Sequence, residues 1–63
     1  MTQQQHDAIY AAYLGIHVLR VMLRAIDQPL GVKRSGELIA ELEQAFPSLK
    51  TRHNRDTKQE ANV

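Results

Sequence analysis

The 63-residue chain has no cysteine, and it contains only three glycines, two prolines, two tyrosines and one phenylalanine. Without cysteine it can form neither a disulfide framework nor a cysteine-based zinc site. Its length allows one small domain, near the lower limit at which a single core sustains folding. Chains of this size that lack disulfides and structural metal sites commonly gain stability by oligomerising. The net charge of +1 does not by itself predict a polyanion-binding protein.

A targeting segment is not expected either. The N-terminus, MTQQQHD, lacks the basic residues that begin a signal peptide, and no small-residue cleavage site follows the mostly apolar residues 7–27. A membrane-spanning helix is disfavoured because His17, Arg20 and Arg24 interrupt these apolar residues on one face. We therefore predict a cytoplasmic protein without a membrane contact. An interfacial amphipathic helix is the alternative that its basic strip and apolar arc support.

The strongest pattern lies in residues 7–27, which predict one long helix. Apolar residues recur there at spacings of three and four, and together they cover an arc of roughly 220°, wider than one neighbouring helix requires. The first row of this arc comprises Ile9, Ala12, Ile16, Leu19, Leu23 and Ile26. The second row comprises Ala8, Ala11, Gly15, Val18, Met22 and Ala25. A narrow polar strip remains, formed by His6, Tyr10, Tyr13, His17, Arg20 and Arg24.

The rest of the chain predicts a connection, a short helix and a tail. Residues 28–36 hold one proline and two glycines and are typical of a connection, with Ser35 as the N-cap of a helix that ends before Pro47. Residues 50–63 are polar and predict a tail that is mobile beyond about Thr51, with a marginal helix as the alternative. The predicted fold is an all-α helical hairpin over residues 7–49, preceded by a frayed segment, residues 1–6.

The two predicted helices differ in length, at about 30 Å and 15 Å. An antiparallel return then covers only the C-terminal half of the long helix and leaves its N-terminal half bare. Burial of each large apolar side chain there contributes ~1.5–3 kcal/mol, so we expect a second copy to cover them in a homodimeric helical bundle. Small residues on the long helix would let two backbones approach closely. The predicted dimer interface comprises Ile9, Ala11, Ala12, Gly15, Ile16 and Leu19.

The sequence contains no pattern of residues that predicts catalysis. There is no glycine-rich phosphate loop, no paired histidines at metal-ligand spacing, and His17 has no carboxylate or histidine four residues away. We therefore expect no enzymatic activity, no bound metal and no cofactor.

The polar strip is the candidate partner-binding site, because tyrosine and arginine dominate many protein interfaces. Its predicted contact residues are Tyr10, Tyr13, His17, Arg20 and Arg24. The expected function is that of a small regulatory protein, an inhibitor or adaptor of the kind common among phage and mobile-element accessory proteins, that binds a protein with an acidic or grooved surface. The alternative is a dimeric RNA- or DNA-binding regulator that uses the strip and the basic tail. A third possibility is that Tyr10 and Tyr13 pack inside the dimer, while Arg20 and Arg24 pair with Glu37, Glu41 or Glu43.

Overall fold

The computed structural model describes the backbone of residues 1–61 and the side chains up to Lys58. These residues form three helices, α1 (Gln3–Ala25), α2 (Pro29–Ala45) and α3 (Pro47–Ala61). The all-α class is confirmed, and α1 and α2 form the predicted hairpin. The predicted tail beyond Ala61 lies outside the described residues.

Helix α1 begins earlier than predicted because its first turn is capped. The Thr2 hydroxyl accepts a hydrogen bond from the Gln5 backbone N–H at 3.1 Å, and the Gln5 side chain accepts one from the Thr2 N–H at 2.9 Å. This reciprocal capping box satisfies two backbone donors that otherwise lack partners. The segment expected to be frayed, residues 1–6, is therefore helical from Gln3 onward.

Helix α1 ends in a tight turn that includes a left-handed residue. Asp27 has a φ of 59°, a region that disfavours residues other than glycine. Its backbone N–H bonds to the Arg24 carbonyl at 3.1 Å, and the Gln28 N–H bonds to the Leu23 carbonyl at 2.9 Å. These two bonds make a Schellman motif, which satisfies the last carbonyls of the helix.

Helix α2 begins seven residues before the predicted one, so the expectation of a connection over residues 28–36 is wrong. Pro29 occupies the first turn of α2, where its missing N–H costs nothing. Ser35 is not a cap but lies inside the helix, where its hydroxyl bonds to the Gly31 and Val32 carbonyls. Gly31 permits close packing, because a Cβ built there would lie 3.0 Å from the Leu23 methyl groups.

Helix α3 occupies the segment predicted to be a polar tail, so the favoured expectation of a mobile tail beyond Thr51 differs from the structure. Only Phe46 separates α2 from α3, and Pro47 starts the new helix. The physical reason lies in the side chains that α3 turns inward. Leu49 is fully buried, and Arg52, His53 and Asp56 are half-buried on the same side of the helix.

The core lies between the N-terminal half of α1 and the other two helices. Its buried members are Tyr10, Tyr13, Ile39 and Leu49, and the half-buried side chains packed around them are Ile9, Leu14, Ile16, Leu42 and Phe46. The N-terminal half of α1 therefore has partners within its own chain, and the length argument that left it bare was wrong. The C-terminal half of α1, expected to be core, carries the exposed residues Val18, Leu19, Val21, Met22 and Ile26.

Candidate functional site

The predicted partner-binding strip on α1 points mainly into the protein. Tyr10 and Tyr13 are buried, His17 and Arg20 are half-buried, and only Arg24 is exposed. The strip therefore forms the α1 side of a polar and aromatic cluster between the helices. The two tyrosines are buried within a single chain, whereas the third interpretation placed them inside the dimer.

Tyr13 lies at the centre of this cluster, with none of its surface exposed. Its hydroxyl donates a hydrogen bond of 2.6 Å to Glu43 Oε2 on α2. Burial, followed by this hydrogen bond, raises the pKa of the Tyr13 phenol well above its ordinary value, so Tyr13 stays neutral. Tyr13 therefore joins α1 to α2 as a hydrogen-bond donor.

Tyr10 joins α1 to α3 in the same way. Its hydroxyl donates a 2.9 Å hydrogen bond to Asp56 Oδ2. The Arg52 guanidinium lies over the Tyr10 ring, 4.1 Å from the ring centre, in a cation–π contact. Burial and the Asp56 carboxylate raise the pKa of the Tyr10 phenol.

Two histidines stack where α1 and α3 meet. The rings of His17 and His53 are 4.6 Å apart between centroids and inclined by 19°, and the Tyr13 ring meets both edge-on. Burial, and then the charge of His53, lower the pKa of His17. The His17 Nε2 atom is buried and has no hydrogen-bond partner among the side chains that the structure describes. The His17 ring therefore fits best when it is neutral.

A polar groove of about 580 Å³ lies between the first turns of α1 and α3. Beside it, Arg52 donates to Asp7 Oδ1 at 2.9 Å, and this hydrogen bond lowers the pKa of the Asp7 carboxyl. His6 Nε2 lies 2.9 Å from Ser48 Oγ, the separation of a nucleophile and its base. Arg52 also contacts His6 Nδ1 at 3.3 Å. An arginine can only donate, so His6 Nε2 carries the hydrogen and cannot accept the serine proton.

The predicted dimer residues divide between two environments. Ile9 and Ile16 are half-buried against the core, whereas Ala11, Ala12, Gly15 and Leu19 are exposed. The exposed ones belong to a continuous apolar side of α1 that we call the outer face. It comprises Ala8, Ala11, Ala12, Gly15, Val18, Leu19, Met22, Ala25 and Ile26, all exposed.

The partners supplied by α3 were missed in the sequence. Leu49, Arg52, His53 and Asp56 follow one another at spacings of three, one and three, which places them on one side of a helix. Together with Pro47 as a helix start, this spacing was the available signal. Glu43 was considered only as a partner for the arginines, and it binds Tyr13 instead.

No family model, curated protein or solved structure matches this chain. Among the described residues, no group of three histidine or carboxylate side chains is placed to hold a metal ion. By length and composition alone α1 could cross a membrane, a property shared by core helices of soluble proteins.

Proposed function

We propose that this chain is a non-enzymatic regulatory protein that acts as a homodimer joined through the outer face of α1. The observation that carries the proposal is the exposure of large apolar side chains there: Val18 and Met22 are 59% exposed and Ile26 is 65% exposed. Single exposed apolar residues are common, but a contiguous apolar helix face is typical of an interaction surface.

The total surface is consistent with a covered face. The accessible area of the chain is 4900 Å². An average folded chain of 7.2 kDa exposes about 4,100 Å². The chain therefore exposes more surface than an average monomer of its mass, as expected if a partner covers part of it.

The shape of the outer face favours a second copy as the occupant. Its N-terminal half is small, with Ala8, Ala11 and Gly15, and its C-terminal half is large, with Leu19 and Met22. A two-fold axis near the middle of α1 places the small half of one copy against the large half of the other. A Cβ added at Gly15 would meet nothing within 4 Å, so a neighbouring backbone has room to approach there.

The dimer proposal is tested by the double substitution Leu19→Glu and Met22→Glu. Both side chains are exposed in the single chain, so we expect helicity to be retained while the dimer separates into monomers. The matched control is Gln44→Glu, an exposed position on α2, which should leave the mass unchanged. Sedimentation equilibrium gives the mass directly. A wild-type chain that sediments as a monomer throughout the micromolar range contradicts the proposal, and so does a dimer that survives both charges.

The regulatory role in this proposal consists of binding a protein with an acidic surface. The support is the distribution of charge: Arg24 on α1 and Lys50, Arg55 and Lys58 on α3 are exposed. Because the dimer would use the outer face, Arg24, Lys50 and Lys58 would remain exposed for pairing with carboxylates, whereas Arg55 already lies 3.8 Å from Asp56. Affinity purification from the native host, with the charge-reversal variants Lys50→Glu and Lys58→Glu as controls, should recover a partner that the variants lose.

The same exposed cations favour nucleic-acid binding as the second candidate. Contacts to phosphates release counterions, so such a complex weakens steeply and log-linearly with salt concentration. Retention of RNA or DNA at low salt with that dependence would favour the second candidate. No retention of single- or double-stranded nucleic acid at low salt would exclude it.

A further inference from the structure

The contact between α1 and α3 is largely polar. It includes the His6–Ser48 contact, the Arg52–Asp7 ion pair and the Tyr10–Asp56 hydrogen bond, all at 2.9 Å. Leu49 is the one side chain of α3, in its described part, that is fully buried and apolar. Segments that bury little apolar surface open at a lower free energy than the rest of a fold. Helix α3, which also packs on α2, is therefore the element that we expect to open first.

The stacked histidines lie within this polar contact, one on each helix. His17 belongs to α1 and His53 to α3, and their ring centroids are 4.6 Å apart. Two neutral imidazoles stack favourably, whereas two imidazolium rings at that distance repel each other. Protonation of the pair therefore acts directly across the junction that holds α3 in place.

One nearby carboxylate opposes that repulsion. From α2, the charge of Glu43 favours a proton on His17, but less than burial and the charge of His53 disfavour it. From α1, Arg20 adds a further positive charge near His17. From α3, Asp56 accepts from Tyr10 and lies 3.8 Å from Arg55. The buried His17 Nε2 meets no acceptor among the described side chains, so a proton on it is poorly stabilised.

We propose that α3 is a pH-responsive latch, closed over the Tyr10 and Tyr13 face of α1 when His17 and His53 are neutral and released when they are protonated. Release returns the His17 ring to water, where it takes up a proton with the ordinary histidine pKa of about 6.5. Acidification below that value favours the open state. Since burial lowers the pKa of His17 in the closed state, the closed form keeps its full stability above about pH 6.5 and loses it as the pH falls.

The latch has a built-in optical reporter. The chain has no tryptophan, and its two tyrosines are the residues that α3 covers. Tyrosine emission therefore reports the junction without a label. Amide exchange measured by NMR, divided by the intrinsic exchange rate at each pH, resolves which helix opens. The opening equilibrium should rise by up to about tenfold per pH unit for each proton taken up.

On going from about pH 7.5 to about pH 5.5, we expect α3 amides to lose protection while amides of α2 keep theirs. His17→Gln and His53→Gln each remove one charge of the pair and should both flatten this dependence; if one variant fails to fold, the other still decides. The matched control is His6→Gln, which alters a histidine that also faces α3 but lies outside the stack, and it should retain the dependence.

Three results would overturn the latch. They are constant α3 protection across this pH range, simultaneous loss of protection in α2 and α3, and loss of the pH dependence in His6→Gln. The latch does not depend on the dimer. Its midpoint should be the same at different protein concentrations, whereas a midpoint that shifts with concentration would assign the pH dependence to self-association and reject the latch.

Discussion

At the scale of single residues, the two tyrosines bind within the chain, whereas the sequence predicted that they contact a partner. Both hydroxyls lie on the polar strip of α1, and each donates a hydrogen bond to a carboxylate of the same chain. Tyr13 binds a carboxylate on α2, and Tyr10 binds one on α3. The sequence could show that they share a side of α1. It could not show that carboxylates thirty and forty-six positions away would meet them, because this depends on the angles between helices.

Both tyrosines are buried, but they donate to different carboxylates, so their phenylalanine variants test the two hydrogen bonds separately. Tyr13→Phe removes a part-buried hydrogen bond to a charged group, and we expect a loss of about 1.5–3 kcal/mol in the free energy of unfolding. Tyr10→Phe frees Asp56, whose side chain is 43% exposed and can be hydrated, so its loss should stay below about 1 kcal/mol. Urea denaturation at a fixed protein concentration compares them. Equal losses would contradict the central position assigned to Tyr13.

At the scale of elements, apolar periodicity was a good guide to α1 and a poor one to the other helices. The pattern placed α1 within four residues of its true start, and Pro47 marked the end of α2. The start of α2 was missed because Pro29 and two glycines were interpreted as a connection, although proline also starts helices. Helix α3 was missed because its inward side is largely polar, so hydrophobic periodicity has little to detect.

The turn between α1 and α2 permits a stabilising substitution. Asp27 holds a left-handed conformation with a φ of 59° that glycine adopts without strain. We expect Asp27→Gly to raise the free energy of unfolding by about 0.5–1 kcal/mol, equivalent to a few degrees in Tm. The matched control is Ala40→Gly at an exposed position inside α2, which should lower it by about 1 kcal/mol. Thermal melts followed by circular dichroism measure both, and a lower Tm for Asp27→Gly would contradict the assignment of the turn.

At the scale of the whole molecule, the expectation of a dimer remains a proposal, but its supporting surface has changed. The sequence predicted an interface at an uncovered N-terminal half of α1, but α3 covers part of that half. The structure leaves a different surface open, the outer face, with its largest side chains in the C-terminal half. Four of the predicted interface residues belong to this face, whereas Ile9 and Ile16 pack toward the core.

Dimerisation predicts a concentration-dependent stability. Because association favours the folded state by mass action, Tm should rise as the protein concentration rises. The double variant Leu19→Glu and Met22→Glu should melt at one temperature at every concentration, while Gln44→Glu should follow the wild type. Scanning calorimetry at micromolar protein concentrations that differ by about a hundredfold tests this. A wild-type Tm that does not depend on concentration would count against self-association.

Because the outer face of α1 is apolar and exposed, dimerisation would also alter which substitutions its positions tolerate. In most proteins the tolerance of a position to substitution rises with its solvent exposure in a single subunit. In a working dimer the exposed Val18, Leu19 and Met22 would respond to polar substitution as interior positions do. A selection for function applied to all single variants would then find these sites restricted, whereas a selection for the folded single chain would find them permissive. Positions restricted in the first selection and permissive in the second would be the residues that contact the partner copy.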